Sequence, residues 1–371
     1  MFKDNEEVMK YITHVCNNYV GTKVHSQLCK NILNSNPNIV QDVFIPIRTR
    51  SHLKVNSLNI KNINEDYILW NMNFFKFLPL LKVMINFIFF MKKRYKYEMV
   101  IAHTVWSDGL IAYINYLIHK TPYTVSVRDT DFNVFLPKLI HYHWLIKLIL
   151  KNANAVIFIN KAYFERSTTQ FPKIFLNLDN LVTIPNGVDE FWLKNLYSTA
   201  NKKRKYDFIF VGNSEPRKNL KRVFRALEII SKNKILKFCI VGLDELAVKK
   251  IIGISNIPDW IFIAGKKSKE DLIDLYRESK ILFVPSYRET FGLVYIEALS
   301  QGCAVIHAKG EGIDKMFDSK LVNSVDPYCI QDMSKVALDL LANYDIISDN
   351  VDISDYDWKV ISVKYTNFFE K

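Results

Sequence analysis

Paired cysteines are missing from this chain. Its 371 residues include five cysteines, Cys16, Cys29, Cys239, Cys303 and Cys329, with no CxxC spacing. An odd, unpaired set excludes a disulfide scaffold and a zinc ribbon, and it points to a reducing compartment. The opening MFKDNEEVMK is too acidic and polar for a secretory signal, so the expected location is cytoplasmic. Repeats of solenoid length and low-complexity linkers are also absent. No helix-turn-helix, zinc-finger or RNP aromatic motif accompanies the net charge of +12, so nucleic acid is not an expected partner. Acid is missing from residues 76–96, which hold six Lys/Arg among Phe, Leu and Ile. Pro79, Lys82 and Asn86 interrupt that stretch and make it a poor transmembrane span. It reads instead as a basic amphipathic surface helix that meets an anionic membrane surface, or as a core helix with snorkelling lysines.

The length suggests two domains. A composition of 49% hydrophobic and 24% charged residues provides for two ordinary cores. Charge is uneven: residues 1–200 hold 23 Lys/Arg against 14 Asp/Glu, and the rest hold 27 against 24. A basic N-terminal half suits a membrane or an anionic substrate. Short apolar runs alternate with helical stretches in both halves. In the first half the runs include IVQDVFIPIR, EMVIAHT, PYTVSV and ANAVIFI; in the second they include FIFVG, KFCIVG, WIFIAG, ILFVP and CAVIHA. Each half therefore reads as a doubly wound parallel sheet, with ligands at the carboxyl ends of the strands and the two sheets facing across a cleft.

The most informative stretch is ILFVPSYRETFGLVYIEALSQGCAVIHA, residues 281–308. It reads as a strand, a turn, a helix stopped by Gly302, and a second strand. Glu289 and Glu297 flank the start of the helix. Gly292 stands where the backbone approaches something closely. The N–H groups of Phe291, Gly292 and Leu293 would be the unpaired donors of the helix N-terminus, which form an anion site. A phosphate cradle with a carboxylate on each side suits a nucleotide diphosphate sugar. Earlier in the chain, FVGNSEPRKNL places Arg217 and Lys218 at a strand's carboxyl end. A fixed cation there stabilises a departing phosphate more than it stabilises the ground state.

The context PS-x-x-E-x-FG-x-x-x-x-EA-x-x-x-G-x-x-V resembles the Glu-x7-Glu motif of the retaining GT-B glycosyltransferases of family 4. IPNGVD, FVGNSEPRKNL, FIAGKKSKEDLIDLYRESKILFVPS, GEGIDKMF, VIAHTVWSDG and VSVRDTDF resemble further family elements in family order, over about residues 98–317. The resemblance implies a GT-B α/β fold of two Rossmann-like domains, with 1–187 on the acceptor side and 188–355 binding the nucleotide sugar. It also implies a terminal helix, 356–371, crossing back to the first domain. Glu289 would contact the donor sugar and Glu297 the nucleotide ribose, with the intervening amides on the phosphates.

Two positions depart from the family pattern. Many members carry an arginine directly after the glycine where this chain has Asn213 after Gly212, and Arg217 is the candidate to replace it. Many carry His-Gly where this chain has Arg128-Asp129, and His103 and Asp108 are the candidates to replace that histidine. Gly21 is either a plain turn glycine or part of the family's flexible loop between diphosphate and acceptor. Asp129–Asp131 and Asp355–Asp357 are DxD triplets, but Lys218 and Arg217 already supply the cationic role, so no metal or other cofactor is expected.

The expected protein is a retaining, metal-independent hexosyltransferase. It moves a sugar from a nucleotide diphosphate sugar to a hydroxyl of a lipid-linked or soluble glycan, at the inner face of the cell membrane, in capsule, O-antigen or exopolysaccharide assembly. The alternatives are a nucleotide-sugar epimerase on the same fold and a non-catalytic scaffold of a glycan synthase.

Overall fold

The computed structural model describes residues 9–71, 77–92, 96–197, 204–347 and 351–369. The chain forms two compact units. The first is made of residues 1–159, 164–187 and 358–371, and the second of 160–163 and 188–357.

Among the described residues the first unit holds seven strands: β1 Lys10–Val15, β2 Ile39–Ile47, β3 Ile63–Leu69, β4 Met99–Ala102, β5 Tyr123–Val127, β6 Ala155–Phe158 and β7 Leu181–Thr183. All pair in parallel, in the order β3-β2-β1-β4-β5-β6-β7. Its helices are α1 Val24–Ser35, α2 Pro79–Phe90, α3 Gly109–His119, α4 Leu136–Lys138, α5 His143–Lys151, α6 Lys161–Gln170 (shared at its start with the second unit), α7 Pro172–Phe175 and α14 Trp358–Thr366. The central strands are fully buried; MVIA and AVIF are apolar on both faces, while YTVSV puts Thr124 and Ser126 on one face. From β1 the chain steps outward to β2 and β3, then returns to β4 and proceeds the other way. Right-handed crossovers then put α2, α3 and α5 on one face of the sheet and α1 on the other. Helix α14 packs on α1, where Ser35 Oγ and Ser362 Oγ lie 2.7 Å apart.

The second unit repeats this plan with six strands: β8 Tyr206–Val211, β9 Phe238–Val241, β10 Ile261–Gly265, β11 Ser279–Phe283, β12 Ala304–Ala308 and β13 Val322–Val325. Their order is β10-β9-β8-β11-β12-β13, all parallel. Its helices are α8 Glu190–Lys194, α9 Leu220–Ser231, α10 Glu245–Ile252, α11 Lys269–Arg277, α12 Leu293–Ser300 and α13 Ile330–Asn343. Helix α9 shows how sequence sets packing. Leu220, Val223, Phe224, Leu227 and Ile230 recur at helical spacing and, with Ala226, are the residues it buries.

Strand order reverses between β1 and β4 in the first unit and between β8 and β11 in the second. In open parallel sheets ligands gather at such switch points, at the carboxyl ends of the strands.

The acid-free stretch 76–96 departs from the expected basic helix. Pro79 opens α2 at its first turn, where its missing N–H costs nothing. The helix buries Val83, Asn86, Phe87 and Phe90 and turns Leu81, Met84 and Ile88 outward. Lys82 is half-buried, and burial together with the nearby Arg48 charge pushes its pKa down. The outward face of α2 is therefore apolar. Exposed lysines, Lys92 and Lys96, follow it; Lys76, Lys93 and Arg94 lie outside the described residues.

Candidate active site

In the second unit, β8 ends at Val211 and the chain turns through Gly212, Asn213 and a short 3-10 turn, Pro216–Lys218. Asn219, in the left-handed conformation at φ +67°, starts α9. Its side-chain amide donates to Pro285 O at 3.2 Å and to Pro327 O at 2.7 Å. It thereby ties the turn to the segments that follow β11 and β13. A backbone bond from Tyr287 N to Arg217 O, 3.0 Å, completes the junction.

Beside this turn stands Glu289. Its Oε2 accepts from Lys218 Nζ at 2.7 Å and from Arg217 Nη1 at 3.2 Å, and the residue is 9% exposed. The three charged groups that the sequence separates by 71 positions thus meet at the β8/β11 switch point. Its backbone is held as well: Glu289 N donates to Glu311 Oε2 at 3.0 Å, and Gly312 N donates to Glu289 O at 2.9 Å. Glu311 is fixed by the Tyr163 hydroxyl at 2.9 Å, and Asn160 Nδ2 donates to Thr290 O.

Gly292 caps α12 with φ +77°. A Cβ there would stand 2.4 Å from the Tyr295 ring and 3.2 Å from Glu289 Cγ, so glycine is required both by conformation and by space. The N–H groups of Phe291, Gly292 and Leu293 open this helix before any intrahelical acceptor exists. One turn on, Glu297 receives the Tyr276 hydroxyl at 3.5 Å. Burial pushes its carboxyl up to about 7, with Asp189 adding to the rise. Asn213 bonds Glu215: its Nδ2 lies 2.8 Å from Glu215 Oε1, and Arg217 Nε also donates to Glu215. Gly212 precedes it at the end of β8.

In the first unit, His103 follows β4 and Arg128 follows β5. Arg128 Nε donates to His103 O at 3.0 Å. The His103 imidazole is 1% exposed. Its Nε2 lies 3.1 Å from His14 Nδ1, and its Nδ1 lies 3.1 Å from His25 Nδ1. His14 Nε2 faces Gln41 Oε1 at 2.9 Å, and Gln41 Nε2 donates to Cys29 O at 2.9 Å. The amide oxygen requires a proton on His14 Nε2. That leaves His14 Nδ1 to accept from His103 Nε2–H, and His103 Nδ1 to accept from His25 Nδ1–H. All three rings are neutral in this row. Burial lowers their pKa values, that of His14 to about 4. Both ring nitrogens of His103 are thus engaged by neighbouring imidazoles inside the unit.

Asp108 accepts from Asn17 N at 3.2 Å and from Asn17 Nδ2. It ties the turn after β1 to β4, and burial raises its carboxyl to about 6. Gly21 lies in that turn, where a Cβ would meet Asn18 Oδ1 at 2.4 Å. Asp131 accepts from Val105 N at 2.8 Å and Arg128 N at 3.1 Å. Half of the first DxD triplet is therefore a buried backbone clamp. Cys16, His25 and His103 also gather within 4.8 Å of one another, but both ring nitrogens of His103 and Nδ1 of His25 are already taken up in the imidazole row.

Residues 194–354 match the family model of glycosyl transferases group 1. The matched segment carries the whole Lys218–Glu289–Glu297 arrangement. A 26% identical curated relative, an uncharacterized glycosyltransferase of Methanocaldococcus jannaschii, is shared over 67% of this chain and 67% of its own. Stretches shared with further curated relatives span between 13% and 27% of those proteins. Solved structures that cover 97% of this chain include sucrose-phosphate synthase and HepE. Sucrose-phosphate synthase from Thermosynechococcus elongatus matches at TM-score 0.71 and 16% identity over 98% of its length. Anabaena HepE, in complex with UDP and glucose, matches at 0.63 and 15% over 99%. The fold is GT-B, two parallel sheets with alternating helices.

Within the group 1 segment, sequence reading missed Glu311 and Asn219, which hold Glu289 and the Arg217–Lys218 turn in place. The GEGID phrase was the available signal for Glu311. Nothing local marked His14, His25 or Gln41. Glu297 gives the group 1 segment a testable pH dependence. If Glu297 takes the ribose, a carboxylate that titrates near 7 binds its hydroxyls well only when ionised, and nucleoside diphosphate affinity is expected to fall as pH drops through 7. The fall is at most about tenfold per pH unit. Calorimetry on wild type and Glu297→Gln between pH 5.5 and 8.5 checks this, because the phosphate's own titration is common to both. Parallel curves would remove Glu297 from the ribose.

Proposed function

We propose that the chain is a retaining glycosyltransferase that moves a hexose from a nucleotide diphosphate sugar to a hydroxyl of a glycan acceptor. One observation carries the reading: a carboxylate held between Lys218 and Arg217 at the opening of α12, on a switch point of a group 1 segment. Glu289 orients donor hydroxyls. The N–H groups of 291–293, with Lys218 and Arg217, take the diphosphate, and Glu297 takes the ribose. The bond from anomeric carbon to phosphate oxygen breaks with its electron pair going to the phosphate, where Lys218 and Arg217 stabilise the new charge. The acceptor oxygen forms its bond on the same face, and its proton passes to the departing phosphate oxygen. Lys218 and Arg217 supply the positive charge at the leaving group without a metal ion.

The acceptor in this reading is a lipid-linked saccharide of surface polysaccharide assembly, reached at the inner face of the cell membrane. The basic N-terminal half and the acid-free stretch 76–96 support it. No helix among the described residues is long and apolar enough to cross a membrane.

A panel of nucleotide sugars, incubated with and without candidate saccharide acceptors and followed by mass spectrometry, tests the proposal. The expected result is one donor consumed with a hexose mass gain on an acceptor, with the donor's anomeric configuration kept. An altered sugar formed without acceptor would point to an epimerase. No turnover across the panel would point to a scaffold.

A further inference from the structure

Cys16 directly follows β1, His25 lies in the first turn of α1, and His103 directly follows β4. They meet at the carboxyl edge of the first sheet, between the two strands where its order reverses. They are 0%, 1% and 1% exposed. Among the described residues they are the one group of three His, Cys, Asp or Glu side chains whose ligand atoms lie within 4.8 Å of one another. The row behind them decides which nitrogen faces the group. Cys29 O can only accept, so the Gln41 amide must turn its Nε2 to it and its Oε1 to His14 Nε2, both at 2.9 Å. That puts the proton of His14 on Nε2 and the proton of His103 on Nε2, 3.1 Å from His14 Nδ1. His103 Nδ1 is therefore an unprotonated, buried nitrogen, 3.1 Å from His25 Nδ1, with the Cys16 thiol beside the pair.

Hydrogen bonds alone close this group poorly. His14 and His103 bring their nitrogens to 3.1 Å with ring centroids 5.4 Å apart. His25 and His103 have the same nitrogen separation, but their centroids are only 4.6 Å apart and their planes are 75° to one another. The nitrogens of this second pair do not point along one line, and a bent N–H···N contact is weak. It is also the only hydrogen bond of the His25 ring among the described residues, since Nε2 is buried with no partner. The same spacing suits two ligands on one ion: nitrogens about 2.0–2.1 Å from zinc lie about 3.3 Å apart across a tetrahedral edge.

We infer that Cys16 Sγ, His25 Nδ1 and His103 Nδ1 bind a zinc ion that ties β1, α1 and β4 together. The ligands select it. One thiolate and two imidazoles suit zinc, whereas magnesium and calcium need oxygen. The ion replaces the bent contact between His25 and His103. Cys16 gives its thiol proton to solvent, and the proton of His25 moves from Nδ1 to Nε2, so one proton leaves for each ion bound. Three protein ligands leave the fourth position to water. The nearby Arg128 charge favours the thiolate, and the Asp108 charge favours the ion. The His103–His14–Gln41 row becomes the outer support that fixes a ligating imidazole and its tautomer. The ion is structural: it takes no part in the proposed sugar transfer, and its test needs no donor.

The full chain, without a polyhistidine tag, is stripped with a chelator and titrated with zinc chloride. Calorimetry is expected to show one zinc bound per chain with one proton released, and the melting temperature should rise with zinc. Cobalt in its place should give a thiolate-to-metal charge-transfer band that Cys16→Ser abolishes. Cys16→Ser and His25→Gln should each weaken zinc by at least about 100-fold, and Gln41→Leu, which removes no ligand, by about 10–100-fold. His119→Gln, on the surface, should bind as wild type does. Where a variant fails to fold, the wild-type titration and its cobalt band decide alone. A wild-type melting temperature indifferent to zinc, or a cobalt adduct without a thiolate band, would overturn the site. So would zinc binding that survives both Cys16→Ser and His25→Gln unchanged.

Discussion

Lys218→Ala is expected to lower kcat by about 10²–10³-fold, with kcat/KM falling in step. Lys218 Nζ, largely buried, sits 2.7 Å from Glu289 Oε2, and in the proposed reaction the leaving phosphate shares it. Charge grows on that phosphate only as the sugar departs, so the ammonium contributes chiefly to the transition state. Removing it also leaves Glu289 with Arg217 as its remaining partner in this pair of cations, at 3.2 Å. Truncating one side of a partly buried pair costs stability by itself. Lys218→Gln, which keeps length and a donor but not charge, separates the two effects: it should melt near wild type yet remain slow. Steady-state kinetics with the donor from the panel checks both variants. Activity within about threefold of wild type for Lys218→Ala would remove the lysine from the leaving group.

Gly292→Ala is expected to weaken nucleoside diphosphate binding by at least about tenfold. A left-handed φ costs a non-glycine residue roughly 1–2 kcal/mol. The added methyl would also lie 2.4 Å from the Tyr295 ring. That ring has nowhere to go: it is 1% exposed, and its hydroxyl donates to Val284 O at 2.7 Å. The first turn of α12 must therefore move. With it move the N–H groups of 291–293 and, through the 3.2 Å approach to its Cγ, Glu289. Calorimetric titration with UDP, ADP and GDP reads the loss. Affinity equal to wild type for whichever diphosphate binds would mean that the phosphates do not rest on this turn.

The two-sheet α/β fold was legible from the alternation of apolar runs and helical stretches, because central parallel strands are apolar on both faces. The Glu289–Glu297 element was legible because it lies within one strand, turn and helix. Its support was not. Glu311 meets Glu289 through a loop 22 positions later, and Asn219 holds the ends of two other strands. His103 looked free at a strand end. Its partners lie 89 and 78 residues away, and burial, with the neighbouring imidazoles and Arg128, lowers its pKa. The stretch 76–96 was read by its charge. Which side of α2 faces out depends on the neighbouring helices, and the outward side proved apolar.

A crystal structure of the chain with a nucleoside diphosphate bound tests the central claim most directly. The account predicts the diphosphate within hydrogen-bond distance of Lys218 Nζ and of the N–H groups of Phe291, Gly292 and Leu293, with the ribose hydroxyls on Glu297. A diphosphate bound elsewhere, with Lys218 still paired to Glu289 and the opening of α12 unoccupied, would contradict it.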